Sequence, residues 1–196
     1  QCIRQWHYSE RNQNSIDMLL ALNGIPVIAI ELKNQLTGQS VDEAKKQWAY
    51  NRNPKEPVFG FNKRILAYFA CDLYDVYMTT RLEGPVTNFL PFNQGSNGAG
   101  RDGGAGNPPN ITGGYVTSYF WENVLQKDKL LDILQKFISY EKTEKKEIMP
   151  DGSTNIKKTE KIIFPRYHQL NVVRELVNHV RENGPGHNYL IQHSAG

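Results

Sequence analysis

Asp17-Met-Leu-Leu-Ala-Leu22, the pair Asn23-Gly24, then Ile25-Pro-Val-Ile-Ala-Ile30 and Glu31-Leu-Lys33 form two apolar runs about a turn, ending on charged residues. Asn-Gly suits the left-handed backbone of a two-residue hairpin turn, so residues 17–22 and 25–33 read as paired antiparallel strands. The second run is apolar on both faces. That predicts a central strand covered on each side, with Pro26 tolerated only near its start because it has no N–H for a ladder. Glu31 and Lys33, two apart on this strand, share one face, and Leu32 turns to the other. Register decides what Glu31 meets. A strict two-residue turn pairs Leu22 with Ile25 and Asp17 with Ile30, leaving Glu31 on the face opposite Asp17. One more residue in the connection, as in a three-residue turn with a glycine bulge, brings Asp17 directly across from Glu31. A bulge or bend is therefore expected if these charges make a site.

Working outward, residues 3–8 are also extended and apolar-rich. Ser40-Val-Asp-Glu43 is a capping box that opens a helix over 41–50, because the Ser40 and Glu43 side chains satisfy orphan backbone N–H groups. Residues 65–71 and 75–80 are β-branched and aromatic enough for two further strands. Residues 93–114, crowded with Gly, Asn and Pro, read as a long loop. Leu130, Leu131, Leu134, Phe137 and Ile138 recur at helical spacing, which predicts an amphipathic helix over 127–140. Residues 141–161 hold six Lys and five Asp or Glu with almost no core-forming side chains, and read as an interdomain linker or a mobile hairpin. Beyond it, 166–182 is helical in pattern, Gly184-Pro-Gly186 stops it, and 189–192 should be a strand. The expected fold is α/β, a mixed central sheet flanked by helices.

Composition narrows the function. The chain has 196 residues, 39% of them hydrophobic and 22% charged, enough for one proper core. The net charge of +3 permits contact with phosphates without demonstrating it. Cys2 and Cys71 lie far apart, and no two of His7, His168, His179, His187 and His193 fall at zinc-ligand spacing, so disulfide frameworks and catalytic zinc are not indicated. No apolar run reaches the roughly 20 residues of a membrane span and no signal peptide opens the chain. A cytoplasmic protein is expected. Gln1 and the closing Ser194-Ala-Gly196 read as cuts in a longer chain.

Asp17 with Glu31-Leu32-Lys33 resembles the active-site arrangement of the PD-(D/E)xK nuclease superfamily. Two carboxylates hold a hard cation such as Mg2+ through oxygen, with the Leu32 carbonyl as a natural third protein ligand and room left for water and a phosphate oxygen. Such an ion polarises the scissile phosphate and activates the attacking water, while Lys33 orients that water and offsets charge on the phosphorane. Acid-x-Lys triplets are also common on solvated strand edges, so a plain ion pair among these residues stands as the alternative. Context favours a task, since both charges end a strand that should be buried.

Longer stretches carry a closer resemblance. Asn12-Gln-Asn-Ser-Ile-Asp17, Asn23-Gly-Ile-Pro-Val27, Glu31-Leu-Lys-Asn34, Tyr77-Met-Thr-Thr80, Phe89-Leu-Pro-Phe-Asn93, Gly106-Asn-Pro108 and Phe164-Pro-Arg-Tyr-His-Gln169 resemble the restriction subunit of type I restriction-modification enzymes. That resemblance implies Mg2+-dependent endonucleolytic cleavage of double-stranded DNA, with Asp17, Glu31 and Lys33 catalytic and Asp17, Glu31 and Leu32 as metal ligands. It implies a subunit that continues into a superfamily 2 helicase-like, ATP-driven motor and assembles with methylation and specificity subunits. The family places a Gln and a Tyr four apart on the helix after the lysine to position DNA. Gln47 and Tyr50 are the candidates, three apart, and packing of Trp48 and Tyr50 is the alternative. Lys45 and Lys46 read as a solvated helix face or as phosphate contacts. The family also reads adenine with a Gln before the motor's first helix, which matches Gln169. Residues 192–196, ending at Gly196, look like the opening of a phosphate-binding loop whose Gly-Lys-Ser/Thr is absent. The implied division is a nuclease domain over 1–140, a charged linker over 141–161, and the start of the ATPase domain over 162–196. The rival reading is a non-catalytic DNA-binding or assembly module on the same fold.

Overall fold

A computed structural model describes residues 1–95, 106–109, 114–149 and 154–191. Six strands make one mixed sheet in the order β1 (Cys2–His7), β2 (Ser15–Leu22), β3 (Ile25–Leu32), β4 (Ala67–Cys71), β5 (Val76–Thr79) and β6 (Leu90–Pro91). Only β3 and β4 run parallel; every other neighbouring pair is antiparallel. The crossover between β3 and β4 contains α1 (Val41–Tyr50), as a parallel connection requires. β3 is central, and Val27 to Ile30 are buried on both faces, with Pro26 second in the strand.

The β2–β3 turn keeps two residues, Asn23 at φ 50° and Gly24 at φ 80°, with Leu22 opposite Ile25. Register then shifts by one, because Ala21 pairs with Pro26 and Leu20 pairs with Ile28. Val27 is the extra residue. The expected irregularity is therefore present, inside β3 and not in the loop. From there the ladder runs Leu19 to Ala29 and Met18 to Ile30, so the next rung sets Asp17 against Glu31.

Two apolar layers cover the sheet. α1 lies on the face of Ala29, Tyr68 and Ala70, where Trp48 is fully buried, meets Phe59 and Tyr68 edge-on, and donates its indole N–H to the Phe69 carbonyl at 2.9 Å. Truncating such a buried indole costs about 3–5 kcal/mol. Ser40 and Glu43 form the expected capping box on α1, whose bounds match the sequence reading. The other face carries Ile28, Ile30, Phe69 and Met78. It is covered by a π-helical turn at Phe120–Val124, by α2 (Lys127–Lys136), and by Phe164, Tyr167 and Leu170 at the start of α3 (Tyr167–Asn183). Residues near 164–170 thus share the core of the sheet.

Two expectations, the end of the helix over 127–140 and the strand at 189–192, are corrected. The helix expected over 127–140 stops at Lys136, because Ser139 and Tyr140 already pair with Ile163 and Ile162. Of the two alternatives for the charged segment, the hairpin pairing is present: residues 141–148 and 154–161 lie in a two-stranded ribbon, β7 (Ser139–Ile148) with β8 (Thr154–Ile163), in which Glu141, Lys142 and Glu144 stand opposite Lys161, Glu160 and Lys158. Residues 189–191 form no strand, and the remainder of that expectation, with the loop opening at 192–196, lies outside the described residues. Within the expected loop, residues 93–95, 106–109 and 114 belong to no helix or strand.

Candidate active site

The β2–β3 rung closes on two carboxylates. Asp17 turns one oxygen back onto β3, where Oδ2 accepts the Leu32 backbone N–H at 2.8 Å, and Oδ1 accepts Gln5 Nε2 at 3.1 Å. Gln5 sits across from Asp17 on β1 with φ 49°, a left-handed backbone that costs a non-glycine residue about 1–3 kcal/mol. Its amide oxygen accepts the Ser15 hydroxyl at 2.8 Å, so both ends of the amide are used at the site.

Glu31 is fully buried. Its Oε1 accepts Arg52 Nη2 at 2.6 Å and Nε at 3.1 Å, while Oε2 is buried with no hydrogen-bond partner. An unpaired buried carboxylate oxygen is costly, and it marks a place for a ligand or a proton. Burial pushes the Glu31 carboxyl up to about 8; Arg52 opposes the rise, and the charge and contact of Asp17 reinforce it. Cross-strand partners on one rung point to the same face of a sheet, so continuing the ladder puts the two carboxyl groups on one face.

Lys33, next on the same face, does not bridge the carboxylates. Its Nζ donates to Gln47 Oε1, in the second turn of α1, at 2.5 Å. Lys33, Gln47, Lys46 and Tyr50 line one open groove of about 300 Å³. Tyr50 is 68% exposed, whereas Trp48 belongs to the core, so the two aromatics have different fates. Lys46 lies 3.4 Å from Glu43; Lys45 pairs with Asp42 at 2.6 Å and lies over the Tyr77 ring.

Asp17 and Glu31, with the Leu32 carbonyl on the same strand end, are the groups that could hold a cation. Among the described residues no three His, Cys, Asp or Glu side chains gather in a metal-binding cluster. The donor set fits a hard ion that keeps much of its water: all oxygen, two carboxylates, and one oxygen already stripped of partners.

Arg52 and Gln5 escaped the sequence reading. Arg52 follows the helix end in a polar Asn51-Arg-Asn-Pro54 stretch that reads as surface, yet it is 3% exposed. Only alternation could have flagged Gln5, which stands across from Asp17 on a paired strand.

At the other end of the chain Gln169 does local work. Its Oε1 accepts the Arg166 backbone N–H at 2.9 Å and caps α3. Tyr167 packs on Tyr119 and accepts a hydrogen bond from Gln94. Gly196 lies outside the described residues.

Residues 1–87 match the family model described as the Type I restriction enzyme R protein N terminus (HSDR_N). The matched stretch contains Asp17, Glu31, Leu32, Lys33, Gln47, Tyr50 and Arg52, and β1 to β5. No curated protein and no solved structure gives a significant match. None of the described helices is long and apolar enough to cross a membrane.

Proposed function

We propose that this chain, whose residues 1–87 match the N terminus of type I restriction enzyme R proteins, is a Mg2+-dependent nuclease unit that hydrolyses phosphodiesters in double-stranded DNA. One observation carries the reading: the Val27 bulge sets Asp17 against Glu31, and Glu31 brings a buried, unpartnered oxygen to that meeting point. The PD-(D/E)xK identity of the fold, the metal, and the roles of individual residues belong to this proposal.

A divalent cation held by the Asp17 and Glu31 carboxylates and the Leu32 carbonyl would supply charge stabilisation at the scissile phosphate and a water of lowered pKa. The chain's own residues do the rest. Leu32 N–H and Gln5 fix the Asp17 carboxylate by one bond to each oxygen. Lys33, a compact ammonium with two further donors once Gln47 has taken one, orients the attacking water and meets the negative charge that builds on the phosphoryl oxygens. Gln47 receives Lys33 through its oxygen, which leaves the amide NH2 for a phosphate oxygen of the DNA. Tyr50 offers an exposed ring at the rim of the same groove.

In the longer subunit, the ATP-dependent motor and the methylation and specificity subunits are the partners this reading implies. In this reading the motor part begins after Leu170, because Phe164, Tyr167 and Leu170 belong to the core of the sheet and the ribbon of β7 and β8 is attached to it. The buried Arg52–Glu31 pair favours the rival, a non-catalytic module in which these charges only hold the fold. The experiment that separates them uses the assembled restriction enzyme. Lys33→Ala and Asp17→Asn should abolish cleavage of unmodified DNA and leave ATP hydrolysis near wild type. Equal loss of both activities refutes the catalytic assignment.

A further inference from the structure

We propose that Arg52 is a positioning residue that limits the site to a single divalent ion, by occupying Glu31 Oε1 and leaving only Oε2 for the cation. This rests on the nuclease reading above and goes on to its metal stoichiometry.

Arg52 spans the two strands that carry the carboxylates. Its guanidinium reaches Glu31 Oε1 with two nitrogens, and Nη2 also donates to the Ser15 carbonyl at 2.6 Å. Ser15 lies two residues before Asp17 on β2, so one side chain ties β2 to β3 next to the rung where the carboxylates meet. The planar group is walled by aromatic rings, Tyr8 at 5.6 Å and Trp48 at 6.0 Å. A guanidinium offers its donors in a rigid fork, so its orientation dictates which carboxylate oxygen is bound and where the other one points.

Both good acceptor directions of Oε1 are taken by these two bonds. Glu31 therefore reaches a cation through one oxygen and cannot bridge two. A pair of metal ions about 3.5–4 Å apart needs bridging or additional carboxylates. Among the described residues no third acidic, His or Cys side chain joins Asp17 and Glu31. Arg52 supplies in fixed form part of the positive charge that a second ion would bring.

The test is metal binding without DNA. Mn2+ is titrated into the chain and free Mn2+ is read by its paramagnetic resonance signal, alongside circular dichroism to confirm folding. Wild type should bind one Mn2+ per chain. Arg52→Lys keeps the buried positive charge but replaces the fork with a point donor, and it should stay folded and bind about 10- to 100-fold more weakly, the usual effect of losing the group that orients a ligand. Arg52→Gln should bind more weakly still. Two ions per wild-type chain overturn the proposal, and so does a folded Arg52→Lys chain with wild-type affinity. If wild type binds no Mn2+ and matches Glu31→Gln throughout, the nuclease reading itself fails and the role of Arg52 falls with it.

Discussion

Glu31 is where pH should reach the stability of the fold. Its carboxyl group is buried against Asp17, and Arg52 offsets only part of that, so the folded chain keeps the Glu31 proton up to about pH 8 where a free side chain releases it near 4.5. Between those values the folded state binds more protons than the unfolded state. Unfolding free energy is therefore level below 4.5, falls as pH rises through the interval, and levels again above 8. At about 1.4 kcal/mol per pH unit, the interval from 4.5 to 8 bounds the loss at about 5 kcal/mol. Glu31→Gln keeps the shape of the side chain and an amide oxygen for Arg52, and it carries no charge at any pH. Urea unfolding of both chains in EDTA at about pH 5, 7 and 9 isolates the effect, since other titrating groups cancel in the difference. The stability of wild type minus that of Glu31→Gln should fall steadily with pH. A difference that stays constant, or rises, means that Arg52 holds Glu31 ionised throughout and that the burial argument is wrong.

Two deletions should separate the bulge from the ladder. Removing Val27 regularises β3 and keeps Asp17 across from Glu31, so cleavage by the assembled enzyme should survive, at a stability cost of about 1.5–3 kcal/mol for one buried aliphatic side chain. Removing Ala29 turns Glu31 to the other face and should end cleavage in a chain that still shows sheet by circular dichroism; retained cleavage would contradict the register given above. Calorimetry with ATP and Mg2+ on this chain should be flat, because the Gln169 amide oxygen already caps α3 and a single amide contact is worth only about 0.5–1.5 kcal/mol. Sub-millimolar ATP binding would show that residues near 164–191 do more than that capping contact allows.

What the sequence makes legible is what short-range chemistry decides. The α1 capping box, the Asn23-Gly24 turn and the doubly apolar β3 each depend on neighbours within a few residues, and each stands where those residues place it. The ribbon of β7 and β8 was obscured by composition, since lysine and glutamate are poor strand formers. The stabilising pattern lies across the strands: Glu141 with Lys161, Lys142 with Glu160, Glu144 with Lys158, three opposite-charge pairs whose numbers share one sum. The site residues divide the same way. Asp17, Glu31 and Lys33 stand out by type and spacing, but the geometry that brings the two carboxylates together comes from residues with no local signature. Val27 absorbs the register shift, Gln5 gives up a relaxed backbone beside Asp17, and Arg52 returns from beyond the end of α1 to take Glu31 Oε1. Each looks unremarkable in the chain and is costly in the fold: a kinked strand, a left-handed glutamine, a buried guanidinium. Such costs persist only where surrounding contacts over-determine them, and here Gln5 and Arg52 meet at the rung of Asp17 and Glu31, four residues along β3 from Val27, around a single carboxylate oxygen left without a partner.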